Sequence, residues 1–243
     1  MNVGYGNRIA NPNTHLSRIT NPPELNTADK VVKAVIFDLD GTLLDTLGDL
    51  RNSVNYALRE MGWKERTLEE VRHFVGNGVH KLIERSVPEG TQEEELEQCF
   101  AHFQKHYLIH CQDTTDLYPG VGEMLQKLRA KGLLTAIVSN KLQAGVDELY
   151  EKFFRDVVDV AIGQRKGVPL KPQPDMVNLA LEALGVSNDE ALYVGDSEVD
   201  VATARNAHLP FIAVLWGFRT KEELLNAGAT QFISEPLSLL HSL

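Results

Sequence analysis

From Val31 to Phe37 the chain reads Val-Val-Lys-Ala-Val-Ile-Phe, an apolar run that predicts a buried strand. Similar runs recur as LLTAIVSN at 133–140, VVDVAIG at 157–163, ALYVGD at 191–196 and PFIAVL at 210–215. The stretches 121–131, 142–152, 174–184, 198–206 and 220–227 carry the spacing of amphipathic helices. Each can cross over between parallel strands, so the alternation predicts an α/β fold built on a doubly wound parallel sheet. Between Thr46 and Thr115 the alternation stops: helical periodicity covers 47–61, 67–75, 79–87 and 91–111 without a convincing strand. The expected division is a core of 31–45 and 116–243 with a helical subdomain, 46–115, inserted into it. Residues 1–30, with many Asn, Pro and Thr and no sustained apolar period, read as a flexible leader.

Composition narrows the partners more than the fold. With 24 Lys+Arg against 34 Asp+Glu over 243 residues, the net charge is -10. That balance argues for solubility and against a nucleic acid or an anionic membrane as partner. Cys99 and Cys111 are the only cysteines and suggest neither a disulfide framework nor a zinc site. No apolar window approaches a membrane span, and the first residues lack the basic-then-apolar order of a signal peptide. A cytoplasmic protein, monomer or homodimer, is expected.

Asp38 and Asp40 close the first strand, with Gly41 and Thr42 directly behind them. Buried carboxylates this close repel, which implies a cation from outside the sequence. In open parallel sheets ligands gather beyond the carboxyl ends of the strands. There the second strand delivers Ser139 and Asn140, the loop after the third delivers Lys171, and the fourth delivers Gly195, Asp196 and, one helical turn on, Asp200. Mg²⁺ takes oxygen ligands and keeps several waters, so two carboxylates and a backbone carbonyl suffice for it. Lys171, the Ser139 hydroxyl and backbone N–H groups of the 38–42 turn suit the oxygens of a phosphoryl group, and Gly41 permits its close approach. The candidate phosphate-binding residues are Gly41, Thr42, Ser139, Asn140 and Lys171. Once a metal offsets its charge, one carboxylate can attack phosphorus while a second moves the proton.

DLDGT at 38–42, VSN at 138–140, the Lys171 of KPQPD and GDSEVD at 195–200 together resemble the signatures of the haloacid dehalogenase-like superfamily of phosphatases. The resemblance spans most of the chain from Val31. It implies Asp38 as a nucleophile that forms an aspartyl-phosphate and Asp40 as general acid and base. It also implies Mg²⁺ held by Asp38, the Asp40 carbonyl and Asp196, with Asp200 supporting the metal waters or Lys171. The insert is similar to that family's helical cap. FVGNGV at 74–79, LYPGV at 117–121 and GFRTKEELLNAGAT at 217–230 look most like phosphoglycolate phosphatases, which implies a small phosphoester substrate. Sugar-phosphate mutases of the β-phosphoglucomutase kind, pyrophosphatases and nucleotidases share the scaffold and are the alternatives.

Other readings of these residues fit less well. DLDGTLLDTLGD places acids as a calcium loop does, but its glycine comes too early and a strand precedes it. A phospho-accepting signalling receiver domain shares the strand-end Asp, hydroxyl and lysine, but lacks both the second acid and an insert of this length. Asn77, Gly78 and His80 are candidate substrate contacts in the insert, although His80, Lys81 and Arg51 also read as surface or capping side chains. His102, His106 and His110 recur on one helix face without acid or thiol support in register, which predicts a solvated or interdomain face rather than a metal site.

Overall fold

The computed structural model describes residues 31–243, so the expected leader at 1–30 lies outside the described residues. In chain order the elements begin with β1 (Ala34–Phe37), β2 (Leu44–Asp45), α1 (Leu47–Glu60), α2 (Leu68–Phe74), α3 (Val79–Ser86), α4 (Glu93–His110) and β3 (Asp116–Leu117). They continue with α5 (Val121–Ala130), β4 (Leu134–Leu142), α6 (Gln143–Leu149), β5 (Val160–Gln164), α7 (Asp175–Leu184) and β6 (Ala191–Gly195). The last are α8 (Glu198–Asn206), β7 (Phe211–Val214), α9 (Lys221–Ala227) and β8 (Phe232–Ile233).

Six strands pair in parallel in the order β5-β4-β1-β6-β7-β8. All four residues of β1 are fully buried, because the strand is central and covered on both faces; hence its run without alternation. Val35 and Phe37 pack with Met124, Leu125 and Leu128 of α5, while Ala34 and Ile36 pack with Met176 and Ala180 of α7. The strand order reverses beside β1, which opens a crevice at its carboxyl end.

Helices α1 to α4 bury an apolar cluster of their own, centred on Val54, Leu58, Val71, Ile83, Cys99 and Phe103. The chain enters and leaves this unit through a narrow neck, where β2 and β3 pair antiparallel with Leu44 opposite Leu117. Asp49 in the first turn of α1 tightens the neck: its carboxylate accepts the N–H and hydroxyl of Thr114 and of Thr115 at 2.6 to 3.1 Å. The last acid of DLDGTLLDTLGD therefore ties the neck and does not join Asp38.

The two-residue strands β2, β3 and β8 are too short for periodicity to reveal. The helix expected at 142–152 begins at Gln143 and gives way to a π-turn at Tyr150–Phe154, because β4 runs on through Leu142. The strand expected at 157–163 starts only at Val160, since the N–H groups of Val157 and Val158 both turn back to the Phe154 carbonyl. Among the described residues no helix is long and apolar enough to cross a membrane.

Candidate active site

Asp38 is the first residue beyond β1, and its N–H still donates to the Val194 carbonyl of β6 at 3.0 Å. Lys171 Nζ lies 2.5 Å from Asp38 Oδ1, 2.8 Å from Asp200 Oδ1 and 3.2 Å from the Tyr193 hydroxyl. Asp200 sits in the first turn of α8, where its other oxygen accepts the Asp196 and Ser197 N–H groups and the Ser197 hydroxyl. Its lone pairs are thereby committed to fixing Lys171 and the loop that carries Asp196. Asp196 accepts the Phe218 N–H at 2.6 Å and the Thr42 hydroxyl at 3.3 Å. Gly41 runs beneath it at φ +92°, where a Cβ would collide with the Asp196 carboxylate.

Oxygens of Asp38, Asp196 and Asp200 all lie within 4.8 Å of one another, and all three side chains are buried. Burial, then the Asp200 charge, pushes Asp38 well above the usual carboxylate range, with Lys171 pulling the other way. Burial and Asp200 likewise push Asp196 up to about 7, against the Phe218 N–H. Burial works to lower the Lys171 ammonium, but the charges of Asp200 and Asp38 overcome it and hold it well above the ordinary value. Three buried acids around one lysine leave a deficit of positive charge within a set of hard oxygen donors, which a divalent cation such as Mg²⁺ fits. Asp200 already accepts from Lys171, Asp196 and Ser197, so Asp38 and Asp196 are the carboxylates that could hold one.

Asp40 occupies the other side of the crevice, where Ser139 Oγ reaches its Oδ2 at 3.4 Å and Lys141 Nζ its Oδ1 at 3.2 Å. A cleft separates these strand ends from the inserted helices, with Leu50, Val75, Val79 and Leu82 as an apolar roof. Of the three candidate substrate contacts in the insert, Gly78 lines the cleft, and Asn77 and His80 do not. Val79 and Leu82, three apart on α3, face inward, which turns His80 outward onto Glu97 at 2.7 Å. Asn77 instead accepts from Arg85 Nη2 at 2.8 Å.

The sequence model of the haloacid dehalogenase-like hydrolases matches residues 35–214, a span that holds all four signatures. The chain belongs to that hydrolase family. It is 32% identical over 200 residues to the phosphoglycolate phosphatase of Aliivibrio fischeri, covering 79% of this chain and 88% of that one. It is 33% identical over 193 residues to the phosphoglycolate phosphatase of Aquifex aeolicus, covering 77% and 86%. A solved structure of a phosphoglycolate phosphatase candidate from Lactobacillus delbrueckii subsp. bulgaricus aligns with a TM-score of 0.82 at 35% identity, covering 86% of this chain and 97% of its own. These relatives are named as phosphoglycolate phosphatases, and membership of the hydrolase family sets the signalling receiver reading aside.

Other residues of this hydrolase take places that the sequence did not indicate. Asn140, expected among the phosphate ligands, has its side chain committed: it donates to the carbonyls of Lys171 and Gly76 and accepts the Lys171 N–H, so it props the lysine loop. The Thr42 hydroxyl is likewise turned to Asp196. Arg219 lines the cleft, pairs with Glu198 at 2.8 Å and donates to the Arg72 and Val75 carbonyls of the insert. Lys141 follows VSN directly, so its neighbours were the available signal; Arg219 was visible only as part of GFR. On α4, His106 stacks on Tyr56 and on His110, at 4.3 Å in each case.

Proposed function

We propose that this hydrolase is a Mg²⁺-dependent phosphatase that cleaves a small phosphoester, phosphoglycolate or a close analogue, through an aspartyl-phosphate on Asp38, with residues 46–115 as a cap over the cleft. The observation that carries the reading is the buried set of Asp38, Lys171 and Asp196 at the sheet's carboxyl edge, with Asp40 beside it. Mg²⁺ held by Asp38, Asp196 and the Asp40 carbonyl would offset the charge of nucleophile and phosphoryl group as Lewis acid. An oxygen of Asp38 attacks phosphorus while the bond to the leaving oxygen breaks, and Asp40 gives its proton to that oxygen. Asp40 then takes a proton from a water that attacks the same phosphorus, releasing Asp38 and inorganic phosphate. Lys171 steadies the charge of Asp38 and of the phosphoryl oxygens throughout. The small apolar roof and the amino end of α3, capped by Gly78, support a short substrate whose far end is anionic.

Phosphate release from a panel of phosphoesters tests this. Phosphoglycolate should give the highest kcat/KM, chelator should abolish turnover, and Mg²⁺ but not Ca²⁺ should restore it, given the looser coordination of Ca²⁺. Full activity in chelator would overturn the metal site, and a clear preference for a sugar phosphate or a nucleotide would overturn the substrate.

A further inference from the structure

Both oxygens of Asp40 are held by near neighbours on β4. Ser139 Oγ donates to Oδ2, Lys141 Nζ donates to Oδ1, and the Lys141 N–H donates back to Ser139 Oγ at 3.1 Å. The Lys141 side chain is only 3% exposed, so little water solvates its ammonium and its protein partners fix its position. One of those partners comes from the insert: the Tyr107 hydroxyl of α4 meets Lys141 Nζ, and the ammonium lies 4.6 Å from the centre of the same ring. The lysine stem is confined as well, since a Cβ on Gly145 of α6 would stand 3.4 Å from its Cε. Tyr107 is thus the residue of α4 that reaches the Asp40 side of the crevice, and it does so through Lys141.

We propose that Lys141 is a positioning residue for Asp40, seated by Tyr107, so that the acid is aimed at the leaving oxygen only while α4 is docked against β4. This rests on Asp40 being the group that moves the proton. Lys171 already balances Asp38 and Asp200, so Lys141 is not needed for the charge of the metal set. A carboxyl gripped on both oxygens cannot rotate away from its target. Released from Lys141, it keeps one long contact to Ser139.

The test compares kcat and KM on phosphoglycolate, whose alkoxide must be protonated as it leaves, with p-nitrophenyl phosphate, whose leaving group needs little acid help. Lys141→Met should lower kcat on phosphoglycolate about 10²-fold with KM nearly unchanged, and cost p-nitrophenyl phosphate far less. Tyr107→Phe should show the same selectivity more weakly, and the double variant should be no worse than Lys141→Met, because the two act in series. Equal losses on both substrates would overturn the inference, as would losses that multiply in the double variant. A raised KM with kcat retained would overturn it too, making Lys141 a substrate ligand. Should Lys141→Met fail to fold, Tyr107→Phe decides alone: it removes one hydroxyl and leaves the cation, and an unchanged kcat on phosphoglycolate would sink the proposal. Asp40→Asn is measured in parallel. A uniform loss there overturns the proton-transfer reading and this inference together. A selective loss there beside a uniform one in Lys141→Met overturns only the latter.

Discussion

Asp38 and Asp40 leave the same strand two residues apart, yet they meet opposite surroundings. Asp38 is buried against Lys171 and two other acids, while the Asp40 side chain keeps 15% of its surface exposed at the cleft wall. Asp38→Asn should therefore retain the fold, since it removes charge from an overcrowded acidic cluster. Turnover should fall by about 10⁴-fold or more, the scale of losing a nucleophile. Circular dichroism beside a phosphate-release assay checks both halves, and near-native turnover would end the covalent mechanism. This much was legible because Asp, Gly, Lys and Asp at strand ends are residue types with few structural reasons to gather there. Asn140 and Thr42 were harder to read. An amide or hydroxyl can face a ligand or a neighbouring backbone, and only the fold reveals that Asn140 holds the Lys171 loop and Thr42 supports Asp196.

The same limit governs the elements. The sheet strands β1, β4, β6 and β7 were readable because each carries four or more consecutive buried positions. The neck was not, because β2 and β3 contribute two residues apiece and owe their pairing to the insert folding between them. At α3 the decisive feature is the backbone before the helix. Gly78 holds φ +85° and ψ 163°, a region that side chains other than glycine's scarcely enter, while a Cβ there would find ordinary space, 3.5 Å from Leu170 and 3.7 Å from the Asn140 carbonyl. The penalty of Gly78→Ala is thus conformational and not steric, roughly 1–3 kcal/mol if the loop keeps its path. The variant should melt earlier and, because the loop roofs the cleft, lose kcat/KM on phosphoglycolate several-fold more than on an aryl phosphate. Unchanged melting would show that the loop relaxes freely, and equal losses on the two substrates would remove it from substrate selection.

Across the whole molecule, the net charge of -10 and the buried acids act together, because folding confines carboxylates in an already acidic chain. In the metal-free protein Asp196 is pushed from 3.8 up to about 7, so the folded state keeps a proton that the unfolded state has released. Stability from this group is accordingly lost as pH rises from about 4 to 7, and Asp38, shifted in the same direction, adds to the loss. A cation that needs both groups ionised reverses the trend: it competes with protons at pH 5 and meets a charged site at pH 8. Mg²⁺ at 100 times its dissociation constant should then raise Tm at pH 8 by about 5–10 °C, and by clearly less at pH 5. Asp196→Asn should flatten the metal-free pH dependence and remove most of the Mg²⁺ shift, because the variant neither titrates nor offers a charged ligand there. Thermal melts at the two pH values, with chelator or with Mg²⁺, separate the cases without any turnover assay. Equal Mg²⁺ shifts at pH 5 and pH 8, or an undiminished shift in Asp196→Asn, would mean that the cation sits elsewhere and that Asp38 and Asp196 do not hold it.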